Sequence, residues 1–591
     1  MKKGFIFVLS LFSVLLLFFM WRLEDQYCVG VEVKTTSEID KLLQGKNCVD
    51  ATPEALWNDE HRIFYDEDTN TIFVSQSLEY EKFEGILKSD VGTLYLEKDA
   101  LLSDVQTALA ESKRFTLYQV MEDSYCQYNL LFTGVPVMQI TVEDTYQDWI
   151  ASQDKTVSVS TVEVVDPYSE SEKDSYKKVK GEFYKRGRTS YLYDYIKPNY
   201  TLKLTEENES FLGMRKDDDW ILNSLMDDMG LIHNKTCYTI WNNLSKLKGD
   251  EKTYSTNLEY IDLFIDQKYM GTYGLTERID QKELNLDEND ILYKIRSPRV
   301  MEDHNYTNED TDGLRPIALL NYPKEYTDED WIPLKTWNDF FRHGWIDDLE
   351  DAYQLIDYQN AIDYNIFCLL VYGIDNVIDN SYLVADYQEE DGTYLIKRLP
   401  WDINQAFGCR LTDTPETNYM YWDERAITNT FTWSVEMAFL YARDEKKIAV
   451  DTYTRWIELR QDFYTREKLY QIVDESLQYL HSTGAYGHNY EWFPFDTSAW
   501  QEELVYEYLD KRIAYLDQYF ENLYRASIGE SIYFYDGVDY TAEFNPWYYW
   551  NRYSSELEQI KKFDDYYDVD QLLEHYVLIG KPNGWVGKEP Q

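Results

Sequence analysis

Two carboxylates and one amide in the middle of the chain are the residue types that phosphoryl transfer requires. Asp375 and Asn380 lie five residues apart, and Asp402 follows 22 residues after Asn380. At such a site one carboxylate orients the attacking hydroxyl, while an amide oxygen and a second carboxylate hold Mg²⁺ against nucleotide phosphates. The three residues therefore predict a nucleotide-dependent phosphoryl-transfer site. The spacing of Asp375 and Asn380 is weakly specific by itself, because an acidic chain contains several such pairs by chance.

The elements around these residues are predicted to bring them together. An apolar run from Tyr358 to Val371 predicts a helix. Ser381–Asp386 and Thr393–Leu399 are typical of two strands joined by a polar turn. Because a hairpin returns the chain to the edge where it began, we expect Asn380 and Asp402 to lie close to each other.

Several sequence blocks occur in a fixed order between Gly181 and Tyr524. They are Lys185–Ser190, Lys197–Leu204, Leu212–Leu222, Phe264–Glu277 and Pro400–Gly408. With these blocks the chain resembles the CotH kinase family, atypical protein kinases first associated with spore coats. The resemblance implies transfer of the ATP γ-phosphate to Ser or Thr of a protein, with Mg²⁺. It assigns Asp375 as the catalytic base, and Asn380 and Asp402 as metal ligands.

Two further residues are assigned nucleotide contacts through the resemblance. Lys203, on the alternating strand Tyr200–Leu204, is the candidate for pairing with nucleotide phosphates, whose charge it would partly neutralise. Glu277 ends a hairpin predicted to turn at Asp266–Gln267, where a kinase-like fold places the linker that borders the adenine. An exposed strand lysine and a plain surface carboxylate are the alternative interpretations.

The chain departs from the family pattern at its metal and phosphate contacts. Asn404 stands where an acidic residue is expected two places after Asp402; it can ligate Mg²⁺ but lacks the charge. No Gly-x-Gly-x-x-Gly loop is present, so Arg188, within a short basic stretch, would contact phosphate through its side chain. A solvated strand end is an equally good interpretation of that stretch.

The apolar segment Trp220–Met229 predicts a helix in which Asp227 or Asp228 takes the place of a glutamate partner for Lys203. The missing glutamate and the uncharged Asn404 leave a second hypothesis open. In that hypothesis the protein is a catalytically weak, pseudokinase-like scaffold or surface-binding protein that organises envelope or spore-coat proteins.

Composition limits the class of partner. The net charge of −51 disfavours nucleic acid and anionic lipid surfaces, since their phosphates would be repelled. A basic or Ser-rich protein substrate is the natural electrostatic partner, although the acidity also serves solubility alone. Aromatic residues make up 16% of the chain, which excludes a mostly disordered protein.

The predicted fold class is α+β: an atypical protein-kinase-like, two-lobed fold between a β-rich N-terminal accessory domain and a helical, aromatic-rich tail. The predicted boundaries are 1–25 for a signal peptide or signal anchor, 26–160 for the accessory domain, 178–524 for the kinase-like domain with lobes at 178–298 and 330–524, and 530–591 for the tail. In the tail, Trp547, Tyr548 and Trp550 would stack on wall polysaccharide or dock a partner if exposed. Rings buried against the kinase-like lobe are the favoured alternative.

The N-terminal segment predicts the compartment. Two lysines precede Gly4–Trp21, a mostly apolar run that would span about 27 Å as a helix, and no small-residue cleavage site follows it. We therefore expect an extracytoplasmic protein of a bacterial surface or spore envelope, membrane-anchored or secreted, with a signal anchor favoured. An oxidising exterior would permit a disulfide between Cys28 and Cys48, whereas Cys237 and Cys368 are expected to be buried free thiols.

Overall fold

The computed structural model describes residues 31–588, except for residues 52, 59–60, 80–86, 98–104, 144–157, 188–196, 298–300, 310–315, 345–348, 378, 412–419, 431–432, 494–500 and 561–567. Within these residues the protein mixes helices and strands, which confirms the predicted α+β class. The chain forms two compact units. The first unit comprises Met1–Ser224, Glu259–Thr276 and Leu477–Phe495; the second comprises Leu225–Leu258, Glu277–Ser476 and Asp496–Gln591.

The described strands are short and numerous, and they run through both units. They are β1 (Val31–Lys34), β2 (Asn47–Cys48), β3 (Leu56–Asn58), β4 (His61–Arg62), β5 (Phe64–Asp66), β6 (Thr71–Ser75), β7 (Leu87–Ser89), β8 (Thr93–Glu97), β9 (Arg114–Val120), β10 (Ser124–Thr133), β11 (Val137–Val142), β12 (Ser158–Val165), β13 (Tyr176–Arg186), β14 (Asn199–Leu204), β15 (Asp219–Asn223), β16 (Leu258–Ile265), β17 (Lys268–Glu277), β18 (Ile291–Ile295), β19 (Ala318–Tyr322), β20 (Ser381–Gln388), β21 (Thr393–Pro400), β22 (Cys409–Leu411), β23 (Met420–Trp422), β24 (Phe534–Tyr535) and β25 (Val538–Asp539).

The described α-helices become longer toward the C-terminal half. They are α1 (Thr36–Leu43), α2 (Val105–Ala110), α3 (Glu172–Ser175), α4 (His233–Lys248), α5 (Ile332–Phe341), α6 (Leu349–Leu355), α7 (Tyr358–Val371), α8 (Val435–Arg443), α9 (Glu445–Asp462), α10 (Arg466–Ser482), α11 (Ala485–Trp492), α12 (Glu502–Ser527), α13 (Pro546–Ile560) and α14 (Val569–His575). Helices α8, α9, α10 and α12 lie between Val435 and Ser527 and make most of that region helical.

Strands of the first unit form an N-terminal sheet and a barrel. The sheet has the order β1-β8-β9-β10-β6-β5, with β2 paired to β10, and β4-β3-β7 form a smaller sheet. The closed barrel has the order β11-β12-β13-β14-β15-β17-β16. Phe73 of the sheet packs against Phe264 and Tyr269 of the barrel, with ring centroids 5.0 Å and 4.8 Å away. These buried rings join the sheet and the barrel in one core.

The barrel corrects one sequence-based expectation, because the predicted helix Trp220–Met229 is wrong. Its first residues belong to strand β15, in which Trp220 lies opposite Leu202 of β14, and both side chains are fully buried in the barrel core. Closing the barrel requires β15 to pair with its neighbours, and such tertiary pairing overrides local helix propensity. The helix that does form here, α4, begins only at His233.

A buried polar cluster fastens helix α11 to the barrel within the first unit. The carboxylate of Asp262 accepts hydrogen bonds from Thr133 (2.8 Å), Tyr269 (2.8 Å) and Thr272 (2.9 Å), and His488 of α11 lies 3.0 Å from it. Burial raises the pKa of Asp262, but the His488 charge and the hydrogen bonds outweigh burial, so the net pKa lies below its ordinary value. A buried carboxylate is tolerated here because donors surround it.

Lys197 is buried beside this cluster. Its ammonium donates to the carbonyl of Thr272 and to Oδ1 of Asn489 (3.1 Å), and it lies 4.8 Å from the centre of the Tyr273 ring. Burial lowers the pKa of Lys197 to about 7. Gly271 is required beside it, because its φ is +92° and an added Cβ would lie 2.8 Å from Lys197 Cε.

The second unit contains the sheet β19-β18-β20-β21, the ribbons β22-β23 and β24-β25, and most of the long helices. Helix α7 has the predicted bounds, and it is buried along almost its whole length. Trp547 of α13 is 2% exposed, donates to the Tyr519 hydroxyl (2.8 Å) and packs 5.1 Å from the Trp433 ring. For Trp547 the buried-ring alternative is therefore confirmed, and Tyr548 and Trp550 are half-buried.

Lysines and aspartates form an ion-pair network on the sheet of the second unit. Asp386 of β20 binds Lys252 (2.8 Å) and Lys397 (3.0 Å), which also reach Asp290 (2.7 Å) and Asp250 (2.8 Å) respectively. Burial raises the pKa of Asp386, but the hydrogen bond from Lys252 and the charge of Lys397 outweigh burial and hold the net pKa below its ordinary value.

The predictions for the cysteines and for the membrane segment differ in outcome. Cys237 and Cys368 are buried and free, as predicted. Cys48 is an exposed free thiol, and its predicted partner Cys28 lies outside the described residues. Among the described residues no helix is long and apolar enough to cross a membrane, and Gly4–Trp21 lies outside them.

We predict that Asp386→Asn lowers the free energy of unfolding by about 1–3 kcal/mol at pH 7, because Lys252 and Lys397 lose a shared counter-ion. Because the pKa of Asp386 is lower in the folded state than in the unfolded state, its ionised carboxylate stabilises the fold above the unfolded pKa of about 3.9. This stabilisation is lost as the pH falls through the folded-state pKa. The difference between variant and parent should therefore shrink toward pH 3 in chemical denaturation. Glu390→Gln, at the exposed hairpin tip, is the control, and a difference independent of pH would contradict the network's role.

A second prediction concerns Lys197→Met. The unfolded chain keeps the lysine proton up to about pH 10.4, whereas the folded state releases it near pH 7, so parent stability rises across that interval. The variant lacks this gain. The melting temperature of the variant minus that of the parent should be higher at pH 7 than at pH 10. Lys180→Met, at an exposed position, is the control. Equal differences at both pH values would show that Lys197 is not buried as a neutral amine.

Candidate active site

Helix α7 leads into the turn that carries Asp375, within the second unit. The helix is N-capped by Asp357 and C-capped by Tyr372, whose φ is +60°. A single turn of 3-10 helix, Asp375–Val377, follows. Asp375 and Asn380 are half-buried and Asp402 is exposed, so all three polar side chains are accessible at one end of the sheet.

The hairpin β20-β21 brings Asn380 and Asp402 to the same edge, as its sequence pattern predicts. The strands pair in register from Ser381 opposite Pro400 at this edge. Beyond the last pair, Trp401 N donates to the carbonyl of Asn380 (3.1 Å). The amide of Asn376, 1% exposed, donates to the carbonyls of both Asn380 and Trp401, each at 2.8 Å. One buried side chain therefore joins the loop that carries Asp375 to the strand end that carries Asp402.

The segment after β21 is held by backbone hydrogen bonds at several points. Asp402 N donates to the Tyr238 hydroxyl (3.1 Å), Ile403 N to Oδ1 of Asn234 (3.0 Å), and Phe407 N to the carbonyl of Val371 (2.8 Å). Burial raises the pKa of Tyr238, and the charge of Asp402 raises it further. Tyr238 is therefore a neutral hydroxyl that accepts from the segment.

Strained backbone accompanies these contacts. Asn380, Asp402 and Phe407 adopt φ values of +43°, +55° and +50°, in the left-handed region that non-glycine residues seldom enter. Such residues persist when the surrounding contacts determine their conformation, and they are concentrated at functional sites. Two of the three are the residues assigned as metal ligands.

Asp228 orients this segment through helix α4. Its carboxylate accepts from the backbone N–H of His233 (2.7 Å) and from both the N–H (2.8 Å) and the side-chain amide (3.0 Å) of Asn234. His233 Nδ1 lies 2.8 Å from the same carboxylate. Burial lowers the pKa of His233, but Cys409 and Asp228 outweigh it and raise the pKa to about 10. The carboxylate of Asp228 thus organises the start of α4.

Asn404 and Gln405 occupy the loop beside Asp375. Gln405 Nε2 donates to Oδ2 of Asp375. The Asn404 side chain donates to the carbonyl of Asp227 (3.2 Å) and accepts from Gln405 N (3.1 Å). The amide of Asn404 therefore already braces its own loop, and its role as a metal ligand remains a prediction.

Glu277 is connected to the same strand end through residues 255–257. The hydroxyl of Ser255 donates to the carbonyl of Pro400 (2.6 Å) and that of Thr256 to the carbonyl of Glu277 (2.6 Å), while Asn257 donates to the Glu277 carboxylate (2.6 Å). Glu277 is 2% exposed, so the surface-carboxylate alternative is wrong. The predicted hairpin before it is present, with its turn at Asp266 and Gln267.

Lys203 and Arg188 are the remaining predicted phosphate contacts. Lys203 belongs to the first unit, where its side chain is exposed on β14 between the registered partners Glu182 and Asp219. Arg188 lies outside the described residues. The second unit thus holds Asp375, Asn380, Asp402, Asn404 and Glu277.

The donor set determines which metal the site could hold. The described residues contain no group of three or more His, Cys, Asp or Glu side chains placed to bind a metal ion. Mg²⁺ needs no such cage, because at nucleotide sites it takes one or two carboxylates and completes its octahedron with phosphate oxygens and water. An accessible carboxylate at Asp402 and an amide oxygen at Asn380 fit that requirement.

The sequence patterns did not indicate the residues that support the site through hydrogen bonds. Asn376, Gln405, Asn234 and Tyr238 each bond to the loop or strand end that carries a predicted residue. Asn376 is adjacent to Asp375, and Gln405 lies within the block Pro400–Gly408, so proximity to a motif was the available signal. Asn234 and Tyr238 are distant in sequence and gave none.

Comparison with known proteins identifies the family of this chain. The family model described as CotH kinase protein matches residues 178–520, which is more than half of the chain and includes every predicted site residue. Among proteins with curated descriptions, none matches. The ordered blocks, the hairpin that joins Asn380 to Asp402 and the match over residues 178–520 place the chain in one family: it belongs to the CotH kinase proteins.

Proposed function

We propose that this protein is an Mg²⁺-dependent atypical kinase that transfers the γ-phosphoryl group of ATP to a Ser or Thr hydroxyl of a protein. The observation that carries this proposal is the junction at Asn376, which fixes the loop of Asp375 and Asn380 against the strand end of Asp402. A base and two oxygen ligands at one accessible edge are what positioning and charge neutralisation require.

In the proposed reaction Asp375 accepts the proton of the substrate hydroxyl as the bond from that oxygen to the γ-phosphorus forms. The bond between the γ-phosphorus and the β,γ-bridging oxygen breaks, and ADP leaves. Mg²⁺, when bound, would neutralise the phosphate charge at Asn380 and Asp402. The rate would come mainly from alignment of the hydroxyl with the phosphorus.

The proposal assigns nucleotide contacts to three further residues. Lys203 and Arg188 would contact the nucleotide phosphates, and Glu277 would lie at the segment that borders the adenine. The bonds from residues 255–257 to Pro400 and to Glu277 support this assignment, because they connect that segment to the metal-binding strand end.

We further propose an extracytoplasmic site of action, with Gly4–Trp21 as the membrane anchor and a basic or Ser-rich envelope or spore-coat protein as substrate. The net charge of −51 supports a basic partner, since opposite charge accelerates encounter. The tail would supply a surface or wall contact, although burial of Trp547 removes one of its three rings from that role.

A second function is favoured by Asn404. This residue lacks charge and already braces its loop, so metal affinity would be lower than with a carboxylate. A weakly catalytic scaffold that binds envelope or spore-coat proteins is the corresponding alternative. Mg-ATP binding and phosphoryl transfer distinguish the two functions.

We predict that the purified chain transfers labelled γ-phosphate to itself or to a Ser-rich basic protein. Asp375→Asn should lower kcat by about 10²–10⁴-fold while Mg-ATP still raises the melting temperature, because the base does not hold the nucleotide. Asp402→Asn should abolish both transfer and the thermal shift, since it removes the metal carboxylate.

Glu389→Gln, exposed at the opposite end of the hairpin, is the matched control and should behave as the parent. A parent that binds Mg-ATP without transferring phosphate would favour the scaffold. Transfer that survives Asp402→Asn would contradict the site assignment.

A further inference from the structure

We infer that Gln405 is the residue that positions Asp375 for proton transfer, a role that rests on the proposed kinase function. Its side-chain Nε2 donates a hydrogen bond directly to Oδ2 of the Asp375 carboxylate. No motif assigns a task to this residue.

The main chain of Gln405 is held firmly enough for such a role. Its N–H donates to Oδ1 of Asn404 (3.1 Å), and the neighbouring residues Ile403 and Ala406 are fully buried. Two residues further on, Phe407 N is bonded to the end of helix α7 (2.8 Å), the helix that leads to Asp375. Gln405 and Asp375 therefore project from two chain segments that are tied together.

The chemistry of an amide suits this contact. A primary amide donates a hydrogen bond to an ionised carboxylate but does not itself titrate near neutral pH, so Asp375 remains the proton acceptor. Occupying one carboxylate oxygen limits rotation about χ2 and leaves the carboxylate in a defined plane. A lysine or arginine at position 405 would add a positive charge that makes the Asp375 carboxylate a weaker proton acceptor. Glutamine adds no such charge.

Asn404 gains an explanation from the same geometry. Its amide donates to the carbonyl of Asp227 while its oxygen accepts from Gln405 N. An aspartate at position 404 could accept but could not donate to a carbonyl, so this loop conformation requires the amide. The asparagine at position 404, in place of the expected acidic residue, therefore helps to hold Gln405 where its side chain contacts Asp375.

The test compares Gln405→Met and Gln405→Glu with the parent in the γ-phosphate transfer assay. Methionine keeps the length and removes the donor; glutamate keeps the length and places a carboxylate against Asp375. We expect kcat to fall by at least about tenfold in both variants, since small misplacement of a reacting group costs up to about a hundredfold. KM for ATP and the Mg-ATP thermal shift should stay at parent values, because Asn380 and Asp402 are unchanged.

The pH profile separates positioning from general damage. A hydrogen bond to the ionised carboxylate favours its charged form, so its loss should move the acidic limb of kcat to higher pH in Gln405→Met. Gln388→Met, at the far end of β20, is the matched control and should keep the parent profile. If Gln405→Met melts at lower temperature than the parent, Gln405→Glu, which retains polarity and length, decides the question.

The outcomes distinguish this inference from the function on which it rests. A parent chain without transfer would overturn the proposed function and this role together. Transfer by the parent with kcat and acidic limb unchanged in Gln405→Met, beside an inactive Asp375→Asn, would overturn the role of Gln405 alone. A loss in kcat accompanied by an equal loss of Mg-ATP binding would also overturn it, because Gln405 would then act on the fold of the site.

Discussion

The buried amide of Asn376 is the interaction on which the candidate site depends. Its two N–H groups satisfy the carbonyls of Asn380 and Trp401, one on each side of the open end of the hairpin. Without this donor the Asn380 carbonyl would keep only its bond from Trp401 N, and the Trp401 carbonyl would lose the Asn376 bond. A buried group left unsatisfied costs about 1–3 kcal/mol. The amide thus both stabilises the turn of Asp375 and sets its distance from the strand end of Asp402.

Helix α4 is the second support, and polar side chains supply its hydrogen bonds to the segment after β21. Asp228 orients Asn234, Asn234 accepts from Ile403 N, and Tyr238 accepts from Asp402 N. The left-handed φ of Asp402 is stabilised because its N–H is bonded to Tyr238 of this helix and the preceding Trp401 N is bonded to Asn380 at the hairpin. A rigid helix therefore determines where the exposed carboxylate of Asp402 is presented. The backbone of Asp402 is therefore fixed by hydrogen bonds while its side chain stays accessible.

Sequence patterns predicted the elements whose packing is local. Helix Tyr358–Val371 and the hairpin that follows were found because an apolar run and a polar turn are short-range signals. The segment Trp220–Met229 was misread because an apolar run alone does not distinguish a buried strand from a helix, and the barrel decided between them. Gln405 and Tyr238 were missed because their partners lie 30 and 164 residues away along the chain.

The sequence by itself determined the residue types at the site, the order of the blocks that mark the family, and the hairpin that returns Asp402 to Asn380. These follow from local periodicity and from chemistry that needs particular side chains. Only the tertiary structure decided that Asn376 joins the two loops, that Glu277 is buried, and that Asn404 is occupied within its own loop. Such contacts depend on chain segments meeting in space, and the pairing of one amide with one distant carbonyl leaves no periodic trace in the sequence.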